Sequence, residues 1–242
     1  ALCGEDILKG VEMGVLHPPI IWLHIPEGTT TLIPEDSDIK GGYLKQPMTY
    51  HVPEFFVSKY PISNAQYYQF IQSGGYKEQR WWTDAGWEDK SHIWVKNGHE
   101  WERVYQPRYQ PHHWIDEKRI QLAYAGSLTW YEIIAFCNWL SEMTGETITL
   151  PTDQQWQRLE DDWRYPYRAN PYGVMDMDYL TYYYTRTAFE TGSNDIEGDR
   201  PRVLRGVSFH PDKSCDTRRN HCFPWDYSYG FGFYIVKSVH KS

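Results

Sequence analysis

The chain has 242 residues, a formal net charge of -8 and 23% charged side chains. An acidic balance leaves no positive excess to displace counterions, so nucleic acid is not an expected partner. Mean hydropathy is -0.69, and no apolar run approaches the roughly 18 residues of a membrane span, so no membrane span is expected either.

The opening ALCGEDILKG lacks a basic stretch followed by an apolar one and does not read as a signal peptide. A domain belonging to a larger chain would start in the same way. Residues 1–24 are expected to be an N-terminal extension and 25–242 a single domain, with no low-complexity linker and no internal repeat. The pieces IIWLHIPEG and YHVPEFFVSKYPIS read as strands interrupted by proline. Ser63 with Gln66 forms a capping box, and Gly74-Gly75 stops that helix. Thr129 with Glu132 forms a second. After it Ile133, Ile134, Cys137 and Leu140 recur at helical spacing, so one face is buried and Cys137 sits in the core. Thr152 with Gln155 starts a third helix, and Glu160-Asp161-Asp162 is expected to end it in solvent. RVLRGVSF and GFGFYIVKSV read as a closing pair of strands. Strands, two to three helices, long irregular loops and strands again argue an α+β domain with small antiparallel sheets.

Aromatic residues make up 17% of the chain, including 12 Trp and 20 Tyr. Rigid rings suit both an irregular core and a contact surface. From Ser208 to Tyr234 the sequence contains no Ala, Val, Leu, Ile or Met, yet holds eight rings from Phe209 to Tyr234. Phe209 and Phe233 are expected to point inward. If extended, Trp225, Tyr227, Tyr229 and Phe231 would put four rings on one side. So large an exposed apolar patch implies a partner.

Cysteines 3, 137, 215 and 222 form no CxxC, which supports neither a disulfide framework nor a zinc site and leaves a reducing cytoplasm as the expected compartment. There is no GxSxG, HExxH, P-loop or GxGxxG.

Seven stretches in order carry a resemblance. They are FFVSKYPISNAQYYQFIQSGGY, WWTDAGW, GSLTWYEIIAFCNWLSEMTG, TLPTDQQWQRLE, NPYGVMDM, RVLRGVSF and GFGFYIV. Together they resemble the formylglycine-generating-enzyme domain, a branch of the C-type-lectin fold, across about residues 25 to 237. That family includes copper-dependent sulfatase activators, iron-dependent sulfoxide synthases and the variable proteins of diversity-generating retroelements. The resemblance implies the fold; the residues must choose the activity.

The sulfatase activators place two copper-binding thiolates two and seven residues after the aromatic ending the RGVSF-like motif. Here those places hold Pro211 and Asp216, and Cys215 misses the second by one residue. The sulfoxide synthases hold iron with histidines of a separate helical bundle, and none of the ten histidines here forms HxxxH or HxxH. The segment that helps build a calcium site in relatives is replaced by DYLTYYYT, although Asp176, Asp178, Asp195, Glu197 and Asp199 could still supply oxygens. The expectation is therefore no cofactor and no metal.

The segment 210–231 has the composition of a paratope, hung between two strands. The candidate ligand-binding residues are His210, Asp212, Ser214, Asp216, Arg219, His221, Phe223, Trp225, Asp226, Tyr227, Tyr229 and Phe231. Between Phe209 and Phe231 every residue except Lys213 and Trp225 can be encoded by adenine-randomised codons. The sequence thus leads to a non-enzymatic binding domain resembling a retroelement variable protein, with a protein or other macromolecular ligand. The alternatives are a metal-dependent oxidative enzyme and a regulatory module of a larger signalling protein.

Overall fold

A computed structural model describes residues 16–35, 40–97, 100–112, 114, 124–161, 169–177, 182–208 and 216–239. Strand β1 (Trp22–Ile25) runs antiparallel to β4 (Phe55–Ser58), which continues through β12 (Val236–Ser238) to β7 (Ile148–Thr149). A second four-stranded sheet has the order β10 (Asp216–Cys222), β9 (Arg202–Ser208), β8 (Tyr182–Ala188), β11 (Phe231–Gly232). Its last pair is parallel. Two smaller antiparallel pairs are β2 (Gly28–Leu32) with β3 (Met48–Val52), and β5 (His92–Asn97) with β6 (Glu100–Tyr105).

Four helices are described: α1 (Asn64–Gln72), α2 (Asp84–Ser91), α3 (Trp130–Thr144) and α4 (Asp153–Glu160). The three expected capping boxes, at Ser63, Thr129 and Thr152, are all formed. Gly145 ends α3 at φ 71°, a left-handed conformation that glycine adopts without the clash a Cβ would bring.

The α3 helix is the centre of the core. Ile133, Ile134, Cys137 and Leu140 are buried as their spacing requires, and Phe136 stacks on Tyr67 of α1 at 5.4 Å. Trp130, Trp139 and Trp156 are fully buried. Each removes about 150–250 Å² from water, roughly 4–6 kcal/mol before entropy is charged against it.

Four expectations change. The two closing segments are not partners: β9 pairs with β8 and β10, whereas the last segment splits into β11 and β12, which join different sheets. Residues 216–222 are not loop but a strand, seven residues in register with β9. Glu160 is not solvated but buried, because Arg205 of β9 reaches it from across the fold. Helix α2 and the β5–β6 hairpin were not expected. The α2 helix has no apolar periodicity, and only Thr83, capping Gly86, marks its start. Asn97-Gly98 was the available hairpin signal.

Candidate functional site

The closing loop, residues 223–230, is held against the start of α3 mainly by backbone. Trp130 N donates to Pro224 O at 3.0 Å, and Ser127 N donates to Ser228 O at 3.1 Å. The Tyr184 hydroxyl donates to the Asp226 carbonyl at 3.0 Å and bridges to Leu128 O. The Asp226 carboxylate accepts from Phe223 N, closing a local turn. A Cβ at Gly126 would meet Tyr229 O and Phe231 O at 3.2 Å, so the close approach of these two backbones favours glycine. The loop is thus pre-organised, and ring positions on it need little ordering when a ligand arrives.

Under this loop lies a cavity of about 550 Å³. Its walls are α2 (Ala85, Glu88, Asp89), the hairpin (His92, Ile93, Arg103), the following segment (Arg108, His112), Tyr131 of α3, Asp199, Trp225 and Tyr227. Trp225 and Tyr227 are 42% and 38% exposed, and the Tyr227 ring stacks on His112 at 5.2 Å.

Charge in the cavity is arranged in pairs. Arg108 Nη2 donates to Asp89 at 2.8 Å, and its Nη1 donates to His112 Nε2. Behind Arg108 sits Glu132, fully buried, accepting from Thr129 N at 2.8 Å and from the Tyr76 hydroxyl at 2.7 Å. Burial pushes the Glu132 carboxyl above its ordinary value and the Arg108 guanidinium opposes that rise. Burial likewise raises Asp89, again against Arg108. Arg103 pairs with Glu88 at 3.3 Å and also donates to the Glu88 carbonyl. The Tyr131 hydroxyl is pushed up by burial and by the charges of Asp89 and Asp199. Arg202 lies over the Trp130 ring at 4.0 Å and donates to the carbonyls of Arg186, Asp195 and Glu197. That clamp fixes the loop that carries Asp199. Burial lowers Arg202 to about 10.

The residues singled out in the sequence divide. Trp225 and Tyr227 line the cavity. Phe223 stacks on Trp225 at 4.7 Å, and Tyr229 is 67% exposed. Asp226 serves the turn. His221 is exposed, stacks on Phe189 at 4.1 Å and does not line the cavity. Arg219 is not a surface contact but a buried cation: its Nε donates to Asp153 at 2.7 Å. Phe231 is half-buried against Tyr182 and Tyr184, so four rings do not share one exposed side. Phe233 is buried as expected. Asp216 belongs to β10, and His210, Asp212, Ser214 and Phe209 lie outside the described residues. The cavity wall from α2 and the hairpin was missed, because neither element was read from the sequence.

Among the described residues no three His, Cys, Asp or Glu side chains converge. Cys137 and Cys222 are free and buried, and burial pushes both thiols up, away from the thiolate a soft metal needs. Of the candidate calcium oxygens, Asp176 is taken by the Tyr124 hydroxyl, Asp195 by Glu197 N, and Asp178 lies outside the described residues.

Comparison with known proteins gives a family and a fold. The family described as the sulfatase-modifying factor enzyme 1-like domain matches residues 21–159. The hercynine oxygenase of Mycolicibacterium thermoresistibile is 50% identical over 36 residues, 15% of this chain and 8% of that protein. That of Mycobacterium tuberculosis is 24% identical over 110 residues, 44% of this chain and 23% of that protein. The chain therefore spans less than a quarter of the length of these relatives. Among solved structures, Treponema denticola variable protein 1 is similar with a TM-score of 0.56 at 15% identity, covering 90% of this chain and 95% of that one. PvdO from Pseudomonas aeruginosa is similar with a TM-score of 0.59 at 15% identity, covering 90% and 94%. Both likenesses establish the fold expected from the sequence. The matched oxygenases overturn the expectation of a non-enzymatic domain: the curated proteins that share sequence with this chain are enzymes.

Proposed function

The chain belongs to the sulfatase-modifying factor enzyme 1-like family, and from that premise we propose that it is the substrate-holding domain of an oxygen-dependent oxidative enzyme. The observation that carries this reading is the cavity closed by Trp225 and Tyr227 on a pre-organised loop, with charged side chains from four further parts of the chain at its wall. A concave, ring-lined space with a few placed polar groups is what a small-substrate site requires. The sequence match to hercynine oxygenases supports the oxidative class.

In this reading the chain's own residues bind and orient. The rings exclude water from one side of the substrate, and the Asp89–Arg108–Glu132 array holds the wall rigid. The described residues supply no metal cage, so no step is assigned to a metal here. The free thiols of Cys137 and Cys222 suit a reducing compartment such as the cytoplasm. No helix among the described residues is long and apolar enough to cross a membrane.

Oxygen consumption by the full-length protein tests the reading, with hercynine and cysteine as substrates and Fe(II) or Cu(I) supplied. Uptake above the protein-free rate, slowed by Trp225→Ala, is expected. No uptake under either metal overturns it. Metal analysis of protein purified without chelators gives a second readout.

The outward rings favour an additional role. Phe223 and Tyr229 are 44% and 67% exposed and do not line the cavity. They suit contact with a macromolecular ligand, protein included. A reverse transcriptase gene and a near-copy of the 3′ end in the neighbouring DNA would mark this loop as diversified. Their absence, with Tyr229→Ala leaving capture of every identified protein ligand unchanged, would remove that role.

A further inference from the structure

We infer that the cavity beneath Trp225 and Tyr227 selects an organic cation, an alkylammonium or guanidinium group on an apolar stem; this rests on the reading of that cavity as the substrate site. Two arginines line it, so an anion would be the first guess. Both are already committed. Arg108 is paired with Asp89 at 2.8 Å, has the buried carboxyl of Glu132 behind it, and donates to His112. Arg103 is paired with Glu88 at 3.3 Å. Each guanidinium is thus neutralised by a carboxylate of α2.

Asp199 is different. It lines the same cavity, is exposed, and no described cation pairs with it. Its charge is felt by the Tyr131 hydroxyl. The formal count over the lining is Glu88, Asp89 and Asp199 against Arg103 and Arg108, three negative against two positive, a net of one negative charge. The rest of the wall offers ring faces and edges from Tyr131, Trp225 and Tyr227. Rings and an uncommitted carboxylate attract a cation together, the rings through their quadrupole and the carboxylate through its charge. A carboxylate ligand would meet Asp199 with no free guanidinium to offset it. The chain's charge of -8 adds a long-range bias of the same sign.

Calorimetric titration of the full-length protein with butylammonium, butylguanidinium, neutral butyramide and butyrate decides the matter. The cations should bind at least about tenfold tighter than butyramide, and butyrate weakest. Asp199→Asn should lower cation affinity about tenfold while leaving butyramide unchanged, and Trp225→Ala should weaken both cations. Butyrate binding as tightly as the cations, equal affinity for butylammonium and butyramide, or no cation binding up to about 10 mM overturns the inference. A near-normal far-ultraviolet spectrum of both variants excludes misfolding as the cause of a loss. Turnover is read separately. Cation selectivity without oxygen uptake sinks the oxidative reading alone, and oxygen uptake without cation selectivity sinks this inference alone.

Discussion

Two charged clusters in this molecule use the same residue types under different burial. In the first, Asp153 of α4 accepts from Arg205 of β9 at 3.3 Å, from Arg219 of β10 at 2.7 Å, and from the Tyr43 hydroxyl at 2.9 Å, while Arg205 also reaches Glu160. Its ion-paired side chains are at most 4% exposed. In the second, Asp89, Arg108, Glu88 and Arg103 are between 11% and 55% exposed at the cavity wall. The first has every charge matched and no access. It fastens the second sheet to a helix. The second has access, a spare carboxylate beside it and rings above it. Charge alone therefore does not mark a site here; charge next to an accessible space does.

Breaking the buried cluster should give the largest effect. Arg205→Met leaves Glu160 and Asp153 buried with one cation fewer, which costs about 3–5 kcal/mol. Chemical denaturation should show the loss, with cation binding per folded molecule unchanged. A loss under about 1 kcal/mol would mean the cluster is hydrated in solution. Arg108→Met is the matching change at the cavity. Asp89 keeps access to water and Glu132 keeps its bonds from Thr129 and Tyr76, so about 1–3 kcal/mol is expected. Removing a positive charge from the wall should leave butylammonium binding equal or tighter, the opposite of what an anion-binding arginine would give.

Trp225→Ala separates site from fold most cleanly. The ring is 42% exposed and its loop is held by backbone bonds. Stability should change by less than about 1 kcal/mol, while ligand affinity falls about tenfold. A large stability loss instead would make Trp225 a structural lid over the core.

How much of this was legible beforehand follows from range. Caps, helix α3 and the inward Phe233 are local patterns, so they could be read. The fold came from seven ordered motifs, not from any one of them. Trp225 and Tyr227 stood out because an aliphatic-free segment must present its rings somewhere. Arg219 misled because its partner, Asp153, lies 66 residues away, and nothing local separates a paired arginine from a free one. Glu160 misled for the same reason. Half the cavity wall was invisible: α2 offers only Ala85 and Trp87 to the core, too few for an apolar period, and its charged residues matter only because the closing loop folds over them. The oxidative class stood second in the sequence reading because copper and iron ligands were sought by spacing in this chain, and Pro211 and Asp216 stand where the copper thiolates would be.

The smallest effect distinguishes the two clusters by pH. Lys90 of α2 is 2% exposed, with Nζ over the Trp87 ring at 4.0 Å and a single long bond to the Arg108 carbonyl at 3.5 Å. Burial lowers its pKa below the ordinary 10.5, and the charge of Arg108 adds to that. A lowered folded value means the unfolded chain binds more protons in the window between the two values. Its contribution to stability is fully present above the ordinary lysine value and is lost as pH falls through the lowered folded one. Lys90→Met removes that term, so the parent should gain stability relative to the variant as pH rises toward 10.5. Denaturation midpoints of both proteins at pH 8 and at pH 10.5 read the difference. The Trp87 ring face offsets part of the desolvation cost, so the gain should stay under about 1 kcal/mol. A difference that is flat with pH would mean the amine is solvated, and the wall behind Arg108 would then be open to water rather than packed.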